Sequence, residues 1–394
     1  MEPARAGDPT PRAFLHVGGA SVARHQLALA LVAGCERVIC VARDFGPEMI
    51  ALQHEAEHGG AKFHVVPGPR GFSGLVSAAD EVLVISEGLL ATTGDALRLL
   101  EGPAAVFVQP AEAGIPAGFE RIDLNHAAAG LMLIPGRLVD RLMELPLDAD
   151  PASALLRIAL QAGVPQRAVP DDVRLGGHWL LVRDEAEAHA AEDSWMARHT
   201  QGGGKTPGPL LARILVRRFG PALLHGGGGA GMVVIIAVVL ATIGFGATWF
   251  GYGAAGFGLA GLAWLLGRTA ALLERIQRES LSLRSSFPLR QLLFDGGYDA
   301  LLVAMLVMVL PVLPGEVLAE RCFAPLVLIG LLRLLPRGFP ARWSDWAEDR
   351  LMLTILLVVA LLGRVIDAGV PALVAMLLTA GLVLPRDADR ITRA

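Results

Sequence analysis

Beyond Arg218 the chain is a succession of apolar segments, each close to the ~20 residues a helix needs to cross ~30 Å of hydrocarbon. They read as six spans, at about 230–250, 253–273, 296–313, 317–335, 350–366 and 369–385, punctuated by Gly, Pro and charge. An all-α polytopic membrane domain of six transmembrane helices is therefore expected over 229–394. The chain as a whole is 53% hydrophobic with a mean hydropathy of +0.52, yet its charges and histidines crowd into the first half. That asymmetry separates a soluble domain, 1–196, from the membrane domain.

Arginine sets the expected direction of the spans. Lys205, Arg213, Arg217 and Arg218 precede the first span, and Arg275, Arg278, Arg284 and Arg290 fill the connection between the second and third. Arg337, Arg342 and Arg350 lie between the fourth and fifth, and Arg386, Arg390 and Arg393 follow the sixth. The opposite loops, such as "GYGAAG", carry few positive charges, so the positive-inside rule predicts a multi-pass protein of the inner (cytoplasmic) membrane with both termini in the cytoplasm.

In the first half, "AFLHV" (13–17), "RVICVA" (37–42), "FHVV" (63–66), "EVLVIS" (81–86) and "AVFVQ" (105–109) read as buried strands. Between them "SVARHQLALALVAG" and "FGPEMIALQHEAEHGG" have helical spacing and end in Gly. This alternation predicts an α/β domain with a mostly parallel sheet and crossover helices. Cys35, Cys40 and Cys322 have neither zinc-ligand spacing nor a disulfide framework, so a reduced compartment is expected. The N-terminal residues lack the apolar core of a signal peptide, which predicts no export of this domain. A net charge of −4 without a basic, aromatic-interleaved groove gives no reason to expect nucleic acid. His54 and His58 stand at the i, i+4 spacing of a zinc pair but lack a third ligand, and read as a solvated helix face.

Residues 197–228 form the expected linker. "GGGKT" has the lysine and glycines of a phosphate-binding loop, but His199 stands where a further glycine is required and a helical stretch precedes it in place of a strand. "PLLARILVRRF" places Leu210, Leu211, Ile214, Leu215 and Phe219 on one side and Arg213, Arg217 and Arg218 largely opposite, the pattern of an interfacial amphipathic helix.

This order of parts resembles the bifunctional enzymes that join a nucleotidyltransferase domain to a CDP-alcohol phosphatidyltransferase domain, of the inositol-phosphate cytidylyltransferase–di-inositol-phosphate phosphate synthase type. The resemblance covers nearly the whole chain. In the first half it is carried by "VGGASVARHQLALALVAGCERVICVA" (17–42) and by "GGHWLLVRDEAEAHAAE" (176–192), where Trp179, Val182, Ala191 and Glu192 match the family's closing phrase. It implies a nucleotidyltransferase-like (GT-A/Rossmann-like) α/β fold. The family's glycine-rich L-A-A-G-x-G-x-R loop has no counterpart here; its metal-binding "G-D" falls on "SEG" (86–88) and its final D-V-D on Leu181, Val182 and Arg183. Nucleotidyl transfer needs carboxylates to hold Mg²⁺ against phosphates, so this domain is expected to be inactive.

In the membrane half the family motif is D-G-x2-D-G-x2-A-R-x8-G-x3-D-x3-D, whose aspartates bind two metal ions. Asp295 and Asp299 fit its last two positions, and the resemblance makes them the catalytic and metal-binding residues, with Mg or Mn as the ion. Gln291 replaces the preceding glycine, and counting back places the first two aspartates at Leu273 and Gln277. A shifted register matches Gly267 and Arg275 to the motif's Gly and Arg, which makes them cofactor-binding candidates, but puts the missing aspartates at Leu266 and Ala270. From the residues alone, three readings of Asp295 and Asp299 stand: metal ligands, helix N-caps near the interface, or ion-pair partners of Arg275 or Arg278. The resemblance implies transfer of a phospho-alcohol from a CDP-alcohol donor in phospholipid or phospho-polyol synthesis. The depleted motifs imply the alternative, a pseudoenzyme that binds a lipid, a nucleotide or a partner protein. Membrane lipids are expected partners, as is a homodimer through the membrane helices.

Overall fold

The computed structural model describes residues 11–42, 45–146, 148–199, 204, 206–225, 229–280, 289–311, 317–334 and 341–383. They fall into two compact units, one drawn from Met1–Met196 and the other from Ala197–Ile276 and Ser285–Ala394.

The first unit is α/β. A short antiparallel pair, β1 (His16–Val17) and β2 (Ala20–Ser21), turns through Gly18 and Gly19, whose φ angles of 63° and 82° suit residues without a Cβ. Ser21 then caps α1 (Val22–Val32), its Oγ accepting from the Arg24 amide at 3.3 Å. β3 (Arg37–Val41) and β4 (Lys62–Val66) pair in parallel around the crossover helix α2 (Pro47–His58), as the alternation predicts. His54 and His58 lie exposed on α2.

The rest of the sheet departs from the expected parallel order. After β5 (Glu81–Ile85) come β6 (Leu89–Ala91), α3 (Thr93–Leu100), β7 (Ala105–Pro110), α4 (Ala111–Gly114) and β8 (His126–Pro135). They are followed by α5 (Pro151–Gln161), β9 (Gln166–Ala168), α6 (Asp171–Leu175), β10 (Trp179–Leu181) and α7 (Glu185–His199). The four-stranded order is β5-β8-β7-β9, with β8 antiparallel to both neighbours and only β7–β9 parallel, so the sheets are mixed. β8 is the cause. Its "HAAAGLMLIP" opens on small residues with no β-branched run or alternation, because it is buried on both faces between β5 and β7.

Two apolar layers sandwich this sheet. Phe107, Ala129 and Leu131 pack with Leu29, Leu99 and Trp179 on one side, and Val106, Met132 and Ile134 with Leu142, Leu155 and Ile158 on the other. The Trp179 indole N–H donates to the Ala129 carbonyl at 2.7 Å, satisfying the one polar atom that this ring buries.

The second unit is helical: α8 (Pro207–His225), α9 (Gly229–Trp249), α10 (Gly253–Ser280), α11 (Leu289–Val309), α12 (Leu318–Leu334), α13 (Ala341–Glu348), α14 (Arg350–Leu362) and α15 (Ile366–Val383). Each expected span overlaps a helix, but among the described residues four stretches are long and apolar enough to cross a membrane: Gly229–Trp249, Gly253–Ile276, Leu292–Val309 and Ile366–Val383. α14 covers 13 residues, about 20 Å of rise, and stops at Gly363, before Arg364 with its φ of 56°. α12 has 17 residues and carries Glu320, Arg321 and Arg333.

α10 is the central element, the most buried of the four, and glycine lets its neighbours approach closely. A Cβ on Gly256 would meet Thr248 Oγ1 at 2.0 Å and the Gly244 carbonyl at 2.6 Å; one on Gly261 would meet Thr354 Oγ1 at 2.4 Å. Phe257, Leu302, Met305 and Leu328 fill the core behind these contacts. α8 turns Ala212 and Val216 inward and leaves Leu211, Ile214 and Phe219 exposed. Its N-terminus is tied down by Asp349, whose carboxylate accepts from the Gly208 amide at 2.8 Å while also capping α14 through the Leu351 and Met352 amides.

Candidate functional site

Helix ends in the second unit gather the charges. Asp295 and Asp299 stand one turn apart on α11, so both carboxylates project from one face. The helix begins at Leu289, more than a turn before Asp295, so neither residue is an N-cap and that reading is corrected.

Asp299 is 6% exposed and is held by two arginines from other helices. Arg350, the first residue of α14, donates from Nε to Oδ1 at 2.9 Å and from Nη2 to Oδ2 at 3.3 Å. Arg333, in the last turn of α12, donates from Nε to Oδ2 at 2.5 Å. A cation is well placed at the C-terminus of α12 but badly placed at the N-terminus of α14, where the helix dipole opposes it. Arg350 is 7% exposed, and Asp299, together with a bond from its Nη1 to the Ala347 carbonyl at 2.7 Å, compensates that placement. Asp299 is therefore an ion-pair partner, of Arg333 and Arg350, while the side chain of Arg278 lies outside the described residues.

Asp295 is half-buried and has no hydrogen-bond partner among the described residues. Arg268 of α10 exerts the strongest attraction on it, Arg333 and Arg350 add weaker ones, and Asp299 repels it. Arg268 lies over the Trp264 ring, 5.5 Å from its centroid. Between the aspartates, Gly296 and Gly297 leave α11 bare: a Cβ on Gly297 would meet nothing within 4 Å, and one on Gly296 only Arg333 Nη2 at 3.8 Å.

The other two candidates, Gly267 and Arg275, lie on α10. Gly267 faces Phe294, and a Cβ there would lie 2.1 Å from the ring's Cζ, so its missing side chain serves the packing of α10 on α11. Phe294 in turn stacks on Tyr298, whose hydroxyl donates to the Ala260 carbonyl at 2.8 Å. Arg275 is exposed on α10, two turns beyond Arg268.

A Mg²⁺ or Mn²⁺ ion requires a near-octahedral set of oxygens. Both oxygens of Asp299 already accept from guanidinium groups, and three arginines act on Asp295. Among the described residues no three His, Cys, Asp or Glu side chains gather where a metal could be held. In this arrangement Asp299 is neutralised by guanidinium groups, which a divalent ion would have to displace.

In the first unit, the stretches matched to the family's two metal phrases lie side by side, the Val182 amide donating to the Gly88 carbonyl at 2.8 Å. Glu87 is the one carboxylate at those positions, accepting from the Ala13 amide at 3.4 Å, while Arg183 pairs with Glu187. The "GGGKT" stretch lies largely outside the described residues.

Sequence reading missed Arg333 and Arg350 as site residues. Their signal is present, since arginines interrupt otherwise apolar helix ends, but the positive-inside bias accounts for them equally well. A scan against family models and a search of curated proteins find no match to this chain.

Proposed function

We propose that this chain is a polytopic membrane protein with CDP-alcohol phosphatidyltransferase-like architecture, and that it binds membrane lipid without transferring a phospho-alcohol group. The observation that carries this reading is the closure of Asp299 by Arg333 and Arg350. Two-metal transfer needs carboxylates free to hold ions that activate the attacking hydroxyl and stabilise the leaving phosphate. Here guanidinium groups occupy the cation positions, and they cannot release protons or exchange ligands as a hydrated metal does.

On this reading 1–196 is a nucleotidyltransferase-like domain without nucleotidyl transfer, in keeping with Leu181 and Arg183 where that chemistry requires carboxylates. Residues 197–228 link it to a six-span domain, 229–394, of the inner membrane with both termini cytoplasmic. α12 and α14 are the short fourth and fifth spans, and the exposed apolar faces of α9 and α15 meet lipid or a second copy.

The test is CMP release by the purified full-length protein from a panel of CDP-alcohols with Mg²⁺ or Mn²⁺, followed chromatographically. The reading predicts no release above a blank. Metal-dependent release that disappears in Asp299→Asn would restore the transferase reading, with a CDP-alcohol as donor.

A further inference from the structure

We infer that Arg350 has two alternative partners, Asp299 and Asp349, and that the seating of α8 selects between them. Among the described residues of the second unit, these three are the buried charged side chains: Asp299 is 6% exposed, Asp349 2% and Arg350 7%. Two carboxylates therefore compete for one buried guanidinium. Arg350 gives its hydrogen bonds to Asp299 and Ala347, although Asp349 is its neighbour in the chain. Asp349 is satisfied by amides, and by two helices at once. Its Oδ1 accepts from the Leu351 and Met352 amides of α14 at 3.0 and 3.3 Å, while its Oδ2 accepts from the Gly208 amide of α8 at 2.8 Å. One oxygen thus serves each helix.

The seat of α8 is tight. Thr206, just before the helix, is 0% exposed, and a Cβ on Gly208 would lie 2.5 Å from both Asp349 Oδ1 and Trp264 Cζ3. It is also imperfect, because the Thr206 hydroxyl is buried without a hydrogen-bond partner among the described residues, a cost that lifting the start of α8 removes. When Gly208 withdraws, however, Oδ2 of Asp349 is left charged, buried and unmet, which is the costly outcome for a carboxylate. The buried cation that can meet it is Arg350, one residue on. Arg350 then leaves Asp299, which keeps the more exposed Arg333. Seated α8 with Asp299–Arg350 is one state, and lifted α8 with Asp349–Arg350 is the other. The coupling is reciprocal: loss of Asp299 draws Arg350 toward Asp349 at the expense of the Gly208 bond. α8 is the first helix wholly within the second unit, so tension on the chain before it is transmitted to Asp299.

The experiment follows thermal melting of the full-length protein in dodecyl maltoside by circular dichroism. Gly208→Ala keeps every charge and unseats α8. In that background Asp299→Asn should lower the melting temperature by less than about half as much as it does in the parent, the non-additivity of coupled sites. Adding Asp349→Asn, which still caps α14 but attracts no cation, should restore the full drop. Gly256→Ala, which loosens the contact of α10 with α9 instead, should simply add to Asp299→Asn. If Gly208→Ala does not fold, Asp299→Asn alone decides, through deuterium exchange at Gly208 read by mass spectrometry. Pro207 and Pro209 carry no amide hydrogen, so the Gly208 signal stands clear of its neighbours. That amide should exchange at least about fivefold faster in Asp299→Asn than in the parent, the low end of a coupling between two sites. Additivity of Gly208→Ala with Asp299→Asn, non-additivity that survives Asp349→Asn or is matched by Gly256→Ala, or unchanged exchange at Gly208 would each overturn the switch. These outcomes are independent of CMP release, which tests the non-catalytic reading separately.

Discussion

Replacing Asp299 with Asn keeps the shape of the side chain and removes the charge on which two arginines converge. The pair with Arg333 contributes little to the loss, about 0–1 kcal/mol, because Arg333 is largely exposed and water takes over its solvation. The pair with Arg350 dominates. Both side chains are under a tenth exposed, and Arg350 would be left charged, buried and at the wrong end of a helix dipole. Removing one partner of a buried pair costs about 3–5 kcal/mol. Asp299→Asn should therefore lose that much stability, as should Arg350→Met. The double variant should recover about 1–3 kcal/mol relative to the sum, since no uncompensated charge remains. Reversible unfolding in mixed dodecyl maltoside and dodecyl sulfate micelles, followed by tryptophan fluorescence, supplies the four free energies of the cycle. If Asn at 299 costs under about 0.5 kcal/mol and the two single changes simply add, the ion-pair account of the site is wrong.

Gly267→Ala should destabilise by about 1–3 kcal/mol through overpacking against Phe294, and Phe294→Leu in the same chain should restore much of the loss; a lipid-binding defect at unchanged melting temperature would instead mark Gly267 as a ligand contact. Asp349→Ala should cost about 0.5–2 kcal/mol from the α14 cap alone and release the start of α8, making Arg213 and Arg217 faster trypsin sites, whereas equal cleavage rates would show that α8 is held by its apolar contacts. A cysteine at Tyr252, in a background without Cys322, should react with an impermeant maleimide from outside intact cells; reaction only after lysis would reverse the topology. If the first unit is without nucleotidyl transfer as proposed, with Leu181 and Arg183 standing where Mg²⁺ carboxylates would be needed, CTP should bind the full-length protein no more tightly than roughly millimolar, and micromolar Mg²⁺-dependent binding by calorimetry would contradict this.

The helices of the second unit were legible because a long apolar run needs no knowledge of its neighbours: every expected span overlaps a helix. Which of them are long enough to cross was less legible, since Gly363 and Arg364 end α14 early and the reading carried it to residue 366. In the first unit β3, β4, β5 and β7 announce themselves by their Val, Ile and Phe content. β8 does not, and without it an antiparallel centre is read as a parallel one. At the site, the pair Asp295 and Asp299 was legible from spacing, but the groups that determine their chemistry were not. Arg333 and Arg350 lie 34 and 51 residues from Asp299 along the chain, and only the packing of α11, α12 and α14 brings them to it. No local pattern encodes that meeting.

The central claim is that guanidinium groups, not a divalent ion, neutralise Asp299. Mn²⁺ is paramagnetic and substitutes for Mg²⁺ at oxygen sites, so its electron paramagnetic resonance in the presence of full-length protein counts bound ions directly. The account predicts the same binding isotherm for the parent and for Asp299→Asn, with no high-affinity ion attributable to α11. A stoichiometric Mn²⁺ site in the parent that vanishes in Asp299→Asn would contradict it.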